Sequence, residues 1–156
     1  MTFSNHLTAA AIICLLLVTA CDNDNTVSEI DFTEIVSGDI TLDGSLANKK
    51  VEVFTDQASL NASLAIYVNL VTEHTVDFTT SRAVLLSMGA RGSGGQSISA
   101  EAIEDYTDHI KLKILLSAPG NNCLVTLAFT SPYQFIEFDS LKTVVIEERL
   151  EVIDCN

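Results

Sequence analysis

The chain has 156 residues, 21 acidic side chains against 8 basic ones, a formal net charge of −13 and an apolar content of 47%. That length suits one domain with enough Val, Ile, Leu and Phe for a core. The charge repels phosphate backbones and anionic lipid headgroups, which argues against nucleic-acid binding and against membrane adhesion through basic residues.

In chain order, residues 9–18 come first, an uncharged apolar run centred on Leu15, Leu16 and Leu17. It is too short to span a bilayer as a helix and has the length of a signal-peptide core. It runs into Val18-Thr19-Ala20-Cys21, small residues before a cysteine, which resembles the lipobox of bacterial lipoproteins. The resemblance implies removal of residues 1–20, lipid (palmitate) attachment at Cys21, and a lipid-anchored place in the bacterial cell envelope. Asp22 followed by Asn23 resembles the inner-membrane retention signal of enteric-type lipoproteins. No second apolar stretch is long enough to span a membrane. Of the four cysteines, Cys14 departs with the signal and Cys21 takes the lipid. Cys123 and Cys155 remain as an even pair in an oxidising compartment, so a disulfide is expected. A redox-active pair would need C-x-x-C spacing or electropositive surroundings, and neither is present.

Residues 21–38 are polar and acidic with few apolar anchors and are expected to be a flexible tether ahead of a single domain, 39–156. Asp22-Asn23-Asp24-Asn25 hints at a calcium loop but lacks the glycine and the closing glutamate. Asp43-Gly44 signals a turn. Alternation over 50–54 predicts a strand. Leu60, Leu64, Tyr67 and Val68 then recur at helical spacing, with Thr55 or Asp56 able to cap the free amides. Residues 82–88 form a continuous apolar run suited to a buried strand, and 89–95 are glycine-rich. Period-two patterns follow over 97–104 and 108–115, joined at a polar pivot, 105–108. Pro119-Gly120-Asn121-Asn122 is a turn, and 123–129 reads as another apolar strand. Pro132 interrupts; strands are expected over 134–138 and 143–152. One helix and about seven strands define an α+β domain of mainly antiparallel sheet, either a sandwich or a part-open barrel.

The stretch from Val76-Asp77-Phe78 through Ala83-Val84-Leu85-Leu86-Ser87-Met88-Gly89 to Gly94-Gly95-Gln96-Ser97-Ile98-Ser99 resembles the PrcB C-terminal domain family. So does the run from Pro119-Gly120-Asn121-Asn122-Cys123 to Ser131-Pro132-Tyr133. That family is named for a non-catalytic subunit of a bacterial surface protease complex. The resemblance implies a subunit that binds or supports an exported protein, a protease among the candidates. Its partner-binding loop would carry Arg91, Gly94, Gly95, Gln96, Pro132 and Tyr133. The family commonly has an aromatic residue where this chain has Gln96.

Little else in the sequence suggests chemistry. The glycine-rich loop lacks the Gly-Lys-Ser/Thr of a phosphate loop and leads into a strand, not a helix. His74 and His109 have neither zinc-site spacing nor a Gly-x-Ser-x-Gly elbow to serve. Glu104 and Asp105, like Glu147 and Glu148, are strand neighbours that face opposite sides and cannot form an acid/base pair. No cofactor is expected, and the oligomeric state is open. Two rivals remain to the accessory subunit: a stand-alone protease inhibitor acting through residues 89–96, and a hydrolase using His109.

Overall fold

The computed structural model describes residues 27–40, 48–68 and 74–155. Cys21, the signal run and the Asp43-Gly44 turn lie outside them. The described elements are β1 (Ser28–Glu29), β2 (Phe32–Ile40), β3 (Lys50–Phe54), α1 (Gln57–Tyr67), β4 (Arg82–Ser87), β5 (Ser97–Asp105), β6 (His109–Pro119), β7 (Ser131–Phe138) and β8 (Thr143–Ile153). The strands form two four-stranded sheets, ordered β1-β5-β6-β8 and β2-β7-β4-β3. This is an open sandwich, not a closed barrel.

Two apolar clusters hold three layers together. Val84, Leu86, Met88, Ile136 and Phe138 meet Ile98, Ile103, Ile110, Leu112 and Ile114 between the sheets. On the other face of the β4/β7 sheet, Ala83, Leu85, Tyr133 and Phe135 meet Leu60, Leu64 and Tyr67 of α1. The unbroken apolar run of β4 thus serves both clusters, because alternate residues point to opposite faces and both faces are covered. Fully burying each such Leu, Ile or Phe contributes about 1.5–3 kcal/mol.

α1 starts at Asp56, whose backbone is extended and whose carboxylate accepts from Ser59 N–H at 2.8 Å. That bond satisfies an amide with no partner inside the helix. Leu60, Leu64 and Tyr67 then form one buried stripe. Gln57 ties the returning chain to the helix: its Nε2 donates to the His74 carbonyl at 2.8 Å, and its Oε1 accepts from Val76 N–H at 3.0 Å. Asp77 makes a similar local turn, accepting from Thr79 N–H at 3.0 Å and from its hydroxyl at 2.5 Å.

These bonds make stability depend on acid pH. The Ser59 amide and hydroxyl hold the Asp56 carboxyl below its usual range. The Thr79 hydroxyl and amide do the same for Asp77. A folded-state pKa below the unfolded value contributes stability above the unfolded pKa, about 4, and loses it as pH falls further. The urea midpoint is therefore expected to decline below about pH 4. The decline should be shallower in Asp56→Asn/Asp77→Asn, which keeps the acceptor oxygens but cannot titrate. A wild-type midpoint that holds constant between neutral pH and acid pH would contradict this.

Three features differ from the sequence expectations. The polar segment expected to be tether through residue 38 is β-structure from Ser28 onward. β1 pairs with Glu104 and Asp105, and β2 pairs along β7 from Phe32↔Phe138 to Ile40↔Ser131. Residues 28–40 therefore belong to the sheets. Ladder hydrogen bonds need no apolar side chains, and an edge strand exposed on one face needs only a few: Phe32, Ile35, Val36 and Ile40 suffice. Second, β6 and β8 are parallel over their whole length. β7 crosses to the other sheet between them, so the chain returns to β6 in the same direction. Third, residues 123–129 form no strand.

Candidate partner-binding site

The glycine-rich loop leaves β4 at Gly89, which has φ +68 and packs so closely that a Cβ would lie 2.4 Å from the Asn48 backbone. Only glycine is tolerated there. The loop then runs along residues 126–130. Arg91 and Thr130 exchange both backbone hydrogen bonds, at 2.8 and 3.0 Å. Gly94 N–H donates to the Thr126 carbonyl at 3.1 Å, and the Thr130 hydroxyl donates to the Ser93 carbonyl at 3.3 Å. A Cβ at Gly94 would meet the Thr126 hydroxyl. Gly94 is buried for this reason, Arg91 and Gln96 are half-buried, and Gly95, at φ +84, is exposed.

Pro132 and Tyr133 are not exposed on the loop. Both are buried in β7, a central strand, with Tyr133 7% exposed and packed against Tyr67 and Phe135. Burial pushes the Tyr133 phenol up. Pro132 is tolerated because it is only the second residue of its strand. Its carbonyl accepts from Met88 N–H at 3.0 Å, and Asp39 caps the neighbouring Ser131 N–H at 2.7 Å. One residue along, Gln134 links the two sheets. Its Oε1 accepts from Ala100 N–H at 2.7 Å, where β5 bulges, and its Nε2 donates to Glu34 at 2.6 Å.

What faces outward is the strip the sequence presents as a buried strand. Leu124 is fully exposed, Leu127 is 95% exposed and Phe129 68%. The strip is fixed at three points: the Cys123–Cys155 disulfide, with Cα atoms 5.0 Å apart, the Gly94–Thr126 bond and the Arg91–Thr130 bridge. It joins neither sheet; its backbone bonds go instead to Gly94 and Arg91 of the glycine-rich loop. The only sequence signal for this was its punctuation, the Pro119-Gly120-Asn121-Asn122 turn on one side and Ser131-Pro132 on the other. Apolar composition cannot reveal whether a ladder position is free.

The histidines lie elsewhere and are paired with carboxylates. His74 Nε2 is 2.7 Å from Glu137 Oε2. His109 Nδ1 is 2.7 Å from Asp108 and its ring stacks on Tyr106 at 4.7 Å. Among the described residues no group of three or more His, Cys, Asp or Glu side chains is placed to hold a metal. None of the described helices is long and apolar enough to cross a membrane. The outer face of the β5-β6-β8 sheet carries an ion-pair lattice. Glu104 pairs with Lys113, Lys111 with Glu147 at 3.2 Å, and Arg149 with Glu101 at 2.5 Å. The Lys113 ammonium holds the Glu104 carboxyl down. Exposed pairs of this kind add little to stability.

The fold and surface thus define a β-sandwich that presents a pinned, apolar loop. Residues 82–139, from the start of β4 to just past β7, match the PrcB C-terminal family model, which supports a relationship of this stretch to that family. No curated protein and no solved structure matches the chain.

Proposed function

We propose that the chain is a non-catalytic cell-envelope lipoprotein, anchored through Cys21, whose 124–129 loop docks an exported protein of a protease complex. The observation that carries the reading is the exposure of Leu124, Leu127 and Phe129 on a loop whose backbone is pinned. Exposed apolar side chains grouped on a preorganised loop mark an interaction surface, because little ordering entropy remains to be lost on binding. The family supports a protease as the partner. The address rests on the resemblance of Val18-Thr19-Ala20-Cys21 to a lipobox, and Asp22 favours the inner membrane. The inhibitor reading uses residues 89–96, whose backbone is bonded along 126–130 and offers less to insert into a cleft.

The test is capture of the partner from the native envelope by the full-length tagged chain, followed by a proteolysis assay. Leu127→Asp is expected to weaken capture by about thirtyfold or more, the loss for a hot spot of about 2 kcal/mol. Its urea midpoint should stay unchanged, because an exposed side chain has little to lose. Capture that is indifferent to Leu127→Asp would refute the docking loop. A captured protease slowed by the chain would favour the inhibitor, and one sustained by it the accessory subunit.

A further inference from the structure

β8 ends its sheet. Among the described residues it has one neighbouring strand, β6. At eleven residues it is long for an edge, where proteins usually place short, bulged or charged strands. It also exposes Val145, Ile146, Leu150, Val152 and Ile153, with Leu150 62% and Val152 58% exposed. Its open side can be identified. The Ile153 carbonyl accepts from Gly120 N–H at 2.8 Å, so residue 153 turns its backbone groups toward β6. Backbone direction alternates along a strand. The other odd-numbered residues therefore also face β6, and Val144, Ile146, Glu148, Leu150 and Val152 turn N–H and C=O to the open edge.

We propose that this edge binds a second copy of the chain, with β8 pairing antiparallel to β8 about a two-fold axis at Glu148. Glu148 is the midpoint of Thr143–Ile153, so the whole strand is paired. The register sets Val144 opposite Val152 of the second copy, Ile146 opposite Leu150, Glu147 opposite Arg149, Val145 opposite Glu151 and Thr143 opposite Ile153, each twice by symmetry. The even-numbered pairs exchange about ten backbone hydrogen bonds. Glu147 and Arg149, which also pair with Lys111 and Glu101 of their own chain, fall at the closely spaced sites between those bonds, where opposite charges stabilise. Moving the axis two residues either way leaves part of the strand unpaired. Both shifts lose the Glu147–Arg149 pair, although the shift toward Leu150 sets Arg149 opposite Glu151. The two Glu148 carboxylates meet, and each already has its own Lys49 at 2.5 Å. This self-complementary pattern of charge and apolar residues is what selects a second copy over a foreign strand. The edge lies beyond residue 139, outside the stretch that matches the family.

The full-length chain carrying Glu148→Cys, oxidised in its native envelope, tests the register. The two Cα atoms would lie about 5.5 Å apart, within disulfide reach. A linked dimer is expected at 148 and none for Val145→Cys, whose symmetry mates lie about 20 Å apart. Independently of folding around a new cysteine, Glu147→Arg should weaken the detergent-extracted dimer about tenfold by light scattering. Glu147→Arg/Arg149→Glu should restore it. Monomer throughout, equal linking at 145 and 148, a charge swap that fails to restore the dimer, or a foreign protein linked at 148 would each overturn the proposal.

Discussion

Phe135→Ala is expected to lower unfolding stability by about 3–5 kcal/mol, a large share of the margin of an ordinary domain. Phe135 is fully buried on β7, the strand between β2 and β4. Its ring lies 6.2 Å from Phe54, 5.6 Å from Tyr67 and 6.1 Å from Tyr133, so one side chain joins β3, α1 and β7. Truncation would remove its transfer energy and leave a cavity among rigid rings that cannot collapse into it. Urea denaturation of wild type and variant would measure the loss. A loss below about 1 kcal/mol would mean that α1 is not anchored as described. Phe129→Ala is the built-in contrast. The same change on the exposed loop should cost less than about 0.5 kcal/mol.

Replacing both disulfide cysteines, Cys123→Ser with Cys155→Ser, is expected to cost about 3–4 kcal/mol on the loop-entropy account. The separation is 32 residues. The link ties the end of β8 to the start of the exposed loop, where Asn122 Oδ1 also accepts from Cys155 N–H at 3.3 Å. Its loss should therefore loosen the docking loop as well as destabilise the fold. Partner capture should weaken even under conditions where the variant stays folded. Equal urea midpoints for the oxidised wild type and the double-serine variant would contradict the stabilising role.

Where a local pattern carried its own physical cause, the sequence was a sufficient guide. Asp56 ahead of Leu60, Leu64 and Tyr67 specified both the start and the buried face of α1. Alternation identified β3, β5 and β6, and the leftover cysteines are the ones that pair. The misreadings share a different origin, since each depended on which neighbour was available. Residues 28–38 looked too polar for a strand until β5 and β7 supplied backbone partners. Residues 123–129 looked apolar enough for one, but they pair with the glycine-rich loop and join neither sheet. Pro132 reads as an interruption and, with Tyr133, as part of the partner-binding loop, yet Pro132 stands near the start of β7. The candidate site shifted for the same reason. Arg91 and Gly94 brace the strip through backbone bonds, while the exposed side chains belong to the strip they hold.

The most direct test of the account is a photo-crosslinking residue placed at Leu127 of the full-length chain in its native envelope, with Ile66 on the exposed side of α1 as the comparison site. The account predicts one dominant adduct from Leu127, to an exported protease or a subunit of its complex, and none from Ile66. No adduct at Leu127 at native levels, or the same adducts from both sites, would contradict it.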